Sequence, residues 1–231
     1  MTWIKICGTT NLEDALTAVD AGADALGFVF YEKSPRKIDP EAAREIVAHL
    51  PPQTEKVGVF VNDTAEGIDD IASSVGLTAV QLHLHTHSAA QVGQNARLHE
   101  VFRAQKIYLA LPASWFLGEG PVRTDLSSFT AKRTERPFDA IFLDSGTAHE
   151  PGGTGKAFDW ARAAALIEDL SKGVNVVVAG GLSPANVAEA IRILKPWGVD
   201  VASGVEARPG KKDPGKIRAF VAAARHVEKR A

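Results

Sequence analysis

The chain has 231 residues, 45% of them apolar and 23% charged, with a formal net charge of −2. That length suits one α/β barrel domain over residues 1–231, while the mixed charge gives no field that would recruit nucleic acid or an anionic membrane, so an anionic ligand would have to be held locally. A single cysteine excludes an internal disulfide, and no basic stretch leads into a long apolar run; neither secretion nor membrane insertion is expected, and the expected compartment is the cytoplasm.

The first apolar run, Trp3–Cys7, reads as a strand and ends on the lone thiol. A buried cysteine is ordinarily a small hydrophobe, so it is the strand-end position that singles out Cys7. Asn11 then caps a helix carrying Leu12, Ala15, Leu16 and Val19 on one face, with Gly22 as its stop. The second run, Ala25–Phe30, leads into Tyr31 and Ser34-Pro35-Arg36, and Asp39-Pro40 opens the next helix. Lys56–Val61 leads to Asn62-Asp63, and Ala79–His83 to a run in which His83, His85 and His87 alternate. Alternation would turn three histidines to one side, as metal ligands can be. A catalytic metal usually also needs a carboxylate or further histidine converging from other strands, and the first strand end offers Cys7 and no HxH, so no metal is expected.

After Lys106–Leu111 comes an enlarged connection, Pro112 to Arg136, interrupted by Gly118-Glu-Gly120. Phe138–Leu143 ends at Asp144-Ser145 and is followed by Gly152-Gly-Thr-Gly155, a segment fit to clamp over a ligand; it lacks the strand–GxxxxGK[ST]–helix arrangement of a P-loop. Asn175–Ala179 closes on Gly180-Gly181 and leads through Ser183-Pro184 to a helix with Val187, Ile191 and Leu194 at helical spacing; Val199–Ala202 closes on Ser203-Gly204. Gly210-Lys-Lys-Asp-Pro-Gly-Lys216 reads as a solvated loop before the last helix.

Near-continuously apolar runs alternating with amphipathic stretches eight times predict βα units around a buried parallel sheet, and eight units favour a closed (β/α)8 TIM barrel over an open doubly wound sheet. In such a barrel the active site forms where strands finish. There, Gly180-Gly181 and Ser203-Gly204 follow the seventh and eighth strands, where glycine lets backbone N–H groups approach a phosphate. Asp144 and Cys7 are the proton-transfer candidates, and Arg36 could fork onto a carboxylate. Aspartate at a strand end also serves as a helix cap or turn former.

Taken together, Lys5-Ile-Cys-Gly8, Gly27-Phe-Val-Phe-Tyr31 with Ser34-Pro35-Arg36, Val57-Gly-Val-Phe-Val61, Gln81-Leu-His83, Leu143-Asp144, Gly152-Gly-Thr-Gly155, Ala179-Gly-Gly-Leu182, Pro184 with Asn186-Val187, and Asp200 with Ser203-Gly-Val-Glu206 occur in the order seen in the phosphoribosylanthranilate isomerase family. The chain resembles that family from end to end. The resemblance implies an Amadori rearrangement in tryptophan biosynthesis without metal or organic cofactor, on a small phosphorylated substrate, by a monomer or homodimer. It implies Cys7 as general base, Asp144 as general acid, Arg36 at the anthranilate carboxylate, further substrate contacts from His83, Gly153 and Asp200, and phosphate held by Gly180, Gly181, Ser203 and Gly204. Three departures stand out: Thr9-Thr10 where the family has Ile-Thr, Leu84 where it has glycine, and the enlarged stretch after the fifth strand.

The chemistry sets requirements on these groups. Asp144 must start protonated to give its proton to the ring oxygen, although a free carboxyl has a pKa of about 3.9; its site should raise that value. Cys7 must act as thiolate, and a free thiol near pKa ~8.5 is only slightly ionised at neutral pH, so a local positive charge would help. Strand alternation points Lys5 the same way as Cys7, which permits contact between them without requiring it. Competing readings are another phosphosugar isomerase, epimerase or lyase, a non-catalytic phosphoribosyl-ligand binder, and a metal hydrolase built on the histidines.

Overall fold

A computed structural model describes residues 1–61, 63–83, 102, 105–117, 138–145 and 159–228. Eight parallel strands close on themselves in sequence order: β1 (Trp3–Cys7), β2 (Ala25–Val29), β3 (Glu55–Val61), β4 (Ala79–His83), β5 (Lys106–Pro112), β6 (Ala140–Asp144), β7 (Asn175–Val178) and β8 (Gly198–Val201). The seam is the β1–β8 pairing, in which Lys5 lies opposite Asp200. The described helices are α1 (Leu12–Ala21), α2 (Pro40–Val47), α3 (Ala65–Val75), α4 (Ser114–Leu117), α5 (Trp160–Ser171), α6 (Val187–Leu194) and α7 (Pro214–Glu228). A two-stranded antiparallel hairpin, β9 (Glu206–Arg208) and β10 (Lys211–Lys212), precedes α7. Among the described residues, no helix is long and apolar enough to cross a membrane.

Strand alternation divides the core in two. Ile4, Ile6, Leu26, Phe28, Leu109 and Ile141 face outward into the layer shared with the helices. Inside the barrel, a lower plug of Tyr108 and Phe142 meets Trp3 edge-on, each with ring centroids 6.0 Å away, while Trp197 stacks on Trp3 at 5.1 Å. The Tyr108 hydroxyl donates to Glu55 at 2.7 Å, and Lys106 reaches the same carboxylate at 3.0 Å. Burial and the neighbouring Glu55 charge push the phenol far above its ordinary value, so Tyr108 stays neutral. Lys5 lies on top of this plug, its Nζ 5.2 Å from the centre of the Phe142 ring.

Helix α1 follows the sequence reading: Asn11 accepts from the Asp14 N–H at 3.0 Å, and Gly22 closes the helix at φ 94°. Ala15 is buried and Leu12 and Val19 pack on the core, but Leu16 is 39% exposed, because a ten-residue helix lying on a curved barrel buries a narrower stripe than the four positions imply. Helix α6 starts at Val187, three residues beyond Pro184. Asn186 folds the intervening turn, accepting from the Ser183 N–H at 2.8 Å and donating to the Gly181 carbonyl at 2.9 Å.

The stretch expected to be a solvated loop, Gly210–Lys216, departs most from its sequence reading. Lys211 and Lys212 form strand β10, and Lys212 is only 1% exposed. Three acceptors for its ammonium, the distant Cys7 carbonyl and the nearer Ala202 carbonyl and Glu206 carboxylate, make this burial tolerable.

Candidate active site

At the C-terminal ends of the strands, Cys7 on β1 and Asp144 on β6 share the inward-facing alternation of their strands with Lys5 and Phe142. A small cleft opens there, lined by Asp144, Gly180, Gly181, Asp200, Ala202 and Ser203. Gly180 makes room for the carboxyl group. A Cβ at Gly180 would lie 2.1 Å from Ser145 Oγ and 2.7 Å from Asp144 Oδ1, and φ is +81°. The loops after β7 and β8 also touch, since a Cβ on Gly204 would fall 1.9 Å from the Leu182 carbonyl oxygen. The four residues expected at a phosphate, Gly180, Gly181, Ser203 and Gly204, therefore come together at one mouth.

The thiol lies one layer above a buried ion pair. Lys5 Nζ is 2.9 Å from Asp200 Oδ1, with the Lys5 side chain fully buried. Lys5 also reaches the thiol: a Cβ on Gly27, in the next strand, would sit 2.7 Å from Cys7 Sγ and 2.9 Å from Lys5 Cε. Burial pushes the Cys7 thiol up from its ordinary 9.0, opposed by the charges of Lys5 and Lys212 and reinforced by Asp200. Burial disfavours the Lys5 ammonium, but Asp200 and Cys7 outweigh it and hold its pKa above 10.5, so the cation persists beside the sulfur. Asp200 bridges the two parts of the site by pairing with Lys5 while lining the cleft.

Arg36 comes from the loop after β2, where the Ser34 N–H donates to the Tyr31 carbonyl at 3.0 Å and turns the chain back across the mouth. Its guanidinium forks onto Glu206, Nε to Oε1 at 2.8 Å and Nη2 to Oε2 at 2.9 Å. The Arg36 side chain lies over Gly8, next to the thiol, with its Cδ 2.6 Å from the place a Cβ would take. On β4, the Gln81 amide nitrogen is 3.2 Å from His83 Nε2. Gly153, His85 and His87 lie outside the described residues. Among those described, no three His, Cys, Asp or Glu side chains come together as metal ligands.

Sequence reasoning passed over Lys212. Its ammonium lies 2.5 Å from the Cys7 carbonyl, 3.1 Å from the Ala202 carbonyl and 3.1 Å from Glu206 Oε1. The signal available was slight: two lysines after Pro209-Gly210, with nothing to distinguish the buried one from its half-buried neighbour.

Comparisons with known proteins agree with this geometry. A family model described as N-(5'phosphoribosyl)anthranilate (PRA) isomerase matches residues 4–114 and 119–223. The N-(5'-phosphoribosyl)anthranilate isomerase of Chlorobaculum parvum is 41% identical over 231 residues, covering 99% of this chain and 97% of that protein. The crystal structure of phosphoribosyl anthranilate isomerase from Thermotoga maritima is 40% identical and superposes with a TM-score of 0.78, covering 98% of this chain and 100% of that one. A second structure, of the isomerase in complex with reduced 1-(o-carboxyphenylamino)-1-deoxyribulose 5-phosphate, has a TM-score of 0.74 and 38% identity at 98% and 100% coverage. With a closed eight-stranded barrel, strand-end residues in the family's order and a match along nearly its whole length, the chain belongs to the N-(5'-phosphoribosyl)anthranilate isomerase family.

Proposed function

We propose that the chain catalyses the Amadori rearrangement of N-(5'-phosphoribosyl)anthranilate to 1-(2-carboxyphenylamino)-1-deoxyribulose 5-phosphate, with Asp144 as general acid and Cys7 as general base. The observation that supports this reading is that one carboxyl group and the glycine turns after β7 and β8 line a cleft at the strand ends, where β1 also finishes on a thiol beside a persistent cation. The complex of a 38% identical relative with a reduced form of the same product supports the substrate class.

Protonated Asp144 gives its proton to the ring oxygen as the C1–O bond breaks, and the nitrogen lone pair forms the C1=N bond of a protonated Schiff base. The iminium acidifies C2. Cys7 thiolate takes the C2 proton, the electrons move toward nitrogen to give an enaminol, and the enaminol ketonises at C2 with a proton delivered to C1. No atoms are gained or lost overall. Lys5 favours the thiolate electrostatically, and its own charge is held by Asp200. Arg36 uses Nε and Nη2 on Glu206, which leaves the Nη1 edge for the anthranilate carboxylate. The turns after β7 and β8 take the phosphate, so that binding energy from both anionic ends holds the pentose between acid and base.

Rescue of a tryptophan auxotroph lacking this isomerase tests the reading, with Cys7→Ala as the control. Growth with the wild-type chain and none with the variant is expected. Purified protein should turn over phosphoribosylanthranilate and leave ribulose 5-phosphate unchanged; the reverse would assign a different phosphosugar reaction.

A further inference from the structure

We infer that Lys212 is a positioning residue for this reaction: its ammonium fastens the backbone of Cys7 to the Glu206 carboxylate that grips Arg36, fixing base and carboxylate-binding arginine in one register. The inference rests on the function proposed above.

Lys212 is 1% exposed and its three N–H bonds have three acceptors, the carbonyls of Cys7 and Ala202 and Oε1 of Glu206. A neutral amine has only two N–H bonds, so the charged form alone serves all three acceptors, although burial holds its pKa below the ordinary 10.5. The first two acceptors are at the ends of β1 and β8, the strands on either side of the barrel seam. The third carries the load to Arg36, because Glu206 Oε1 receives both Lys212 Nζ and Arg36 Nε. Arg36 closes the circuit, its side chain lying against Gly8, which takes φ +73° directly after Cys7. Loss of Lys212 would therefore free the carbonyl of the base, leave Glu206 with one cation where it had two, and loosen the guanidinium.

The charges around Lys212 come from every neighbouring element. Cys7 and Lys5 lie on β1, Asp200 on β8, Arg36 in the loop after β2, and Glu206 on β9. Asp14 on α1 accepts from the Lys212 backbone N–H at 2.8 Å and pairs with Lys211 at 2.7 Å. Two cations thus flank Cys7 from different sides, Lys5 at the sulfur and Lys212 at the carbonyl. Lys211 offers a built-in contrast, since it ties the same hairpin to α1 through Asp14 and Glu13 but its ammonium pairs with neither Cys7 nor Glu206.

The test compares Lys212→Met with Lys211→Met in the full chain. It measures kcat and KM with phosphoribosylanthranilate and the pH dependence of iodoacetamide alkylation, which reports on Cys7 alone because the chain has one cysteine. Lys212→Met should lower kcat by about 10- to 100-fold, the scale of a misplaced reacting group, and move the alkylation midpoint to higher pH. Lys211→Met should leave both within about twofold even if it melts earlier. Should Lys212→Met keep wild-type kcat and midpoint, or Lys211→Met match its losses, the positioning role is overturned. If Lys212→Met fails to fold, Glu206→Gln decides: released Arg36 should raise KM about tenfold, and an unchanged KM would overturn the relay. Absence of turnover in the wild-type chain would defeat the functional reading alone, while the alkylation profiles would still report whether Lys212 holds Cys7.

Discussion

Lys5 and Asp200 form an ion pair at 2.9 Å across the barrel seam, with side-chain exposures of 0% and 11%. Removing one partner of such a buried pair strands a charge in the interior and typically costs about 3–5 kcal/mol, whereas replacing both with apolar groups is often nearly neutral. Urea denaturation should show Lys5→Met destabilised by roughly that amount and Lys5→Met/Asp200→Leu recovering most of it. A double variant destabilised by the sum of the Lys5→Met and Asp200→Leu effects would mean that the two residues act independently.

The pair also sets the pH behaviour of the thiol. Burial raises the Cys7 pKa from 9.0, the charge of Lys5 lowers it and Asp200 raises it, with the net shift upward. The thiolate is therefore the minor form at neutral pH and grows as pH rises. Accordingly, kcat/KM should climb between about pH 7 and 9 with no plateau below about 9. A profile flat over that range would be incompatible with a thiolate base.

Gly180 provides a test of Asp144 that leaves its chemistry intact. An added methyl group would collide with Ser145 and with Asp144 Oδ1 at 2.7 Å, on a backbone at φ +81°. Gly180→Ala should lower kcat by about 100-fold through displacement of the acid, and weaken product binding through distortion of the phosphate turn. Wild-type kinetics in this variant would separate Asp144 from the geometry described.

Acid should weaken the fold through the hairpin. Burial raises the Glu206 carboxyl, but hydrogen bonding by Arg36 and the charge of Lys212 outweigh it and hold its pKa below 4.5; Asp14 is likewise held below 3.8, burial being outweighed by Lys211 and the Lys212 N–H. Both folded-state values are depressed, so the stability they contribute is complete above the unfolded values and is lost as pH falls through the folded ones. The melting temperature should drop from about pH 5 downward, and drop less steeply in Glu206→Gln. Parallel curves for the two proteins would show that Glu206 is not linked to acid stability.

Much of this barrel was legible because apolar runs buried on both faces leave a signal that each strand carries by itself. The ends of β1 and β4 fall where the runs do, and β6 begins two residues later than its run, at Ala140, because Phe138 packs into the core ahead of the first ladder pairing. The strand-end rule picked out Asp144, Gly180 and Ser203, which line one cleft, and Cys7 at the end of β1. Lys212 escaped notice because one of its acceptors, the Cys7 carbonyl, lies 205 residues away, and because nothing local shows that the nearby Ala202 carbonyl and Glu206 carboxylate turn toward its ammonium. Asn186 escaped as a turn former for a different reason: Pro184 marks a helix start, and the local side-chain bonds to Gly181 and Ser183 that delay it leave no mark in residue type alone.

The division of labour between Cys7 and Asp144 is tested most directly by kinetics of Cys7→Ala and Asp144→Asn with phosphoribosylanthranilate, alongside their affinity for reduced 1-(o-carboxyphenylamino)-1-deoxyribulose 5-phosphate. Each variant should lose about 10²- to 10⁴-fold in kcat while binding the analogue as the wild-type protein does. Wild-type turnover in either one would contradict the assigned acid or base.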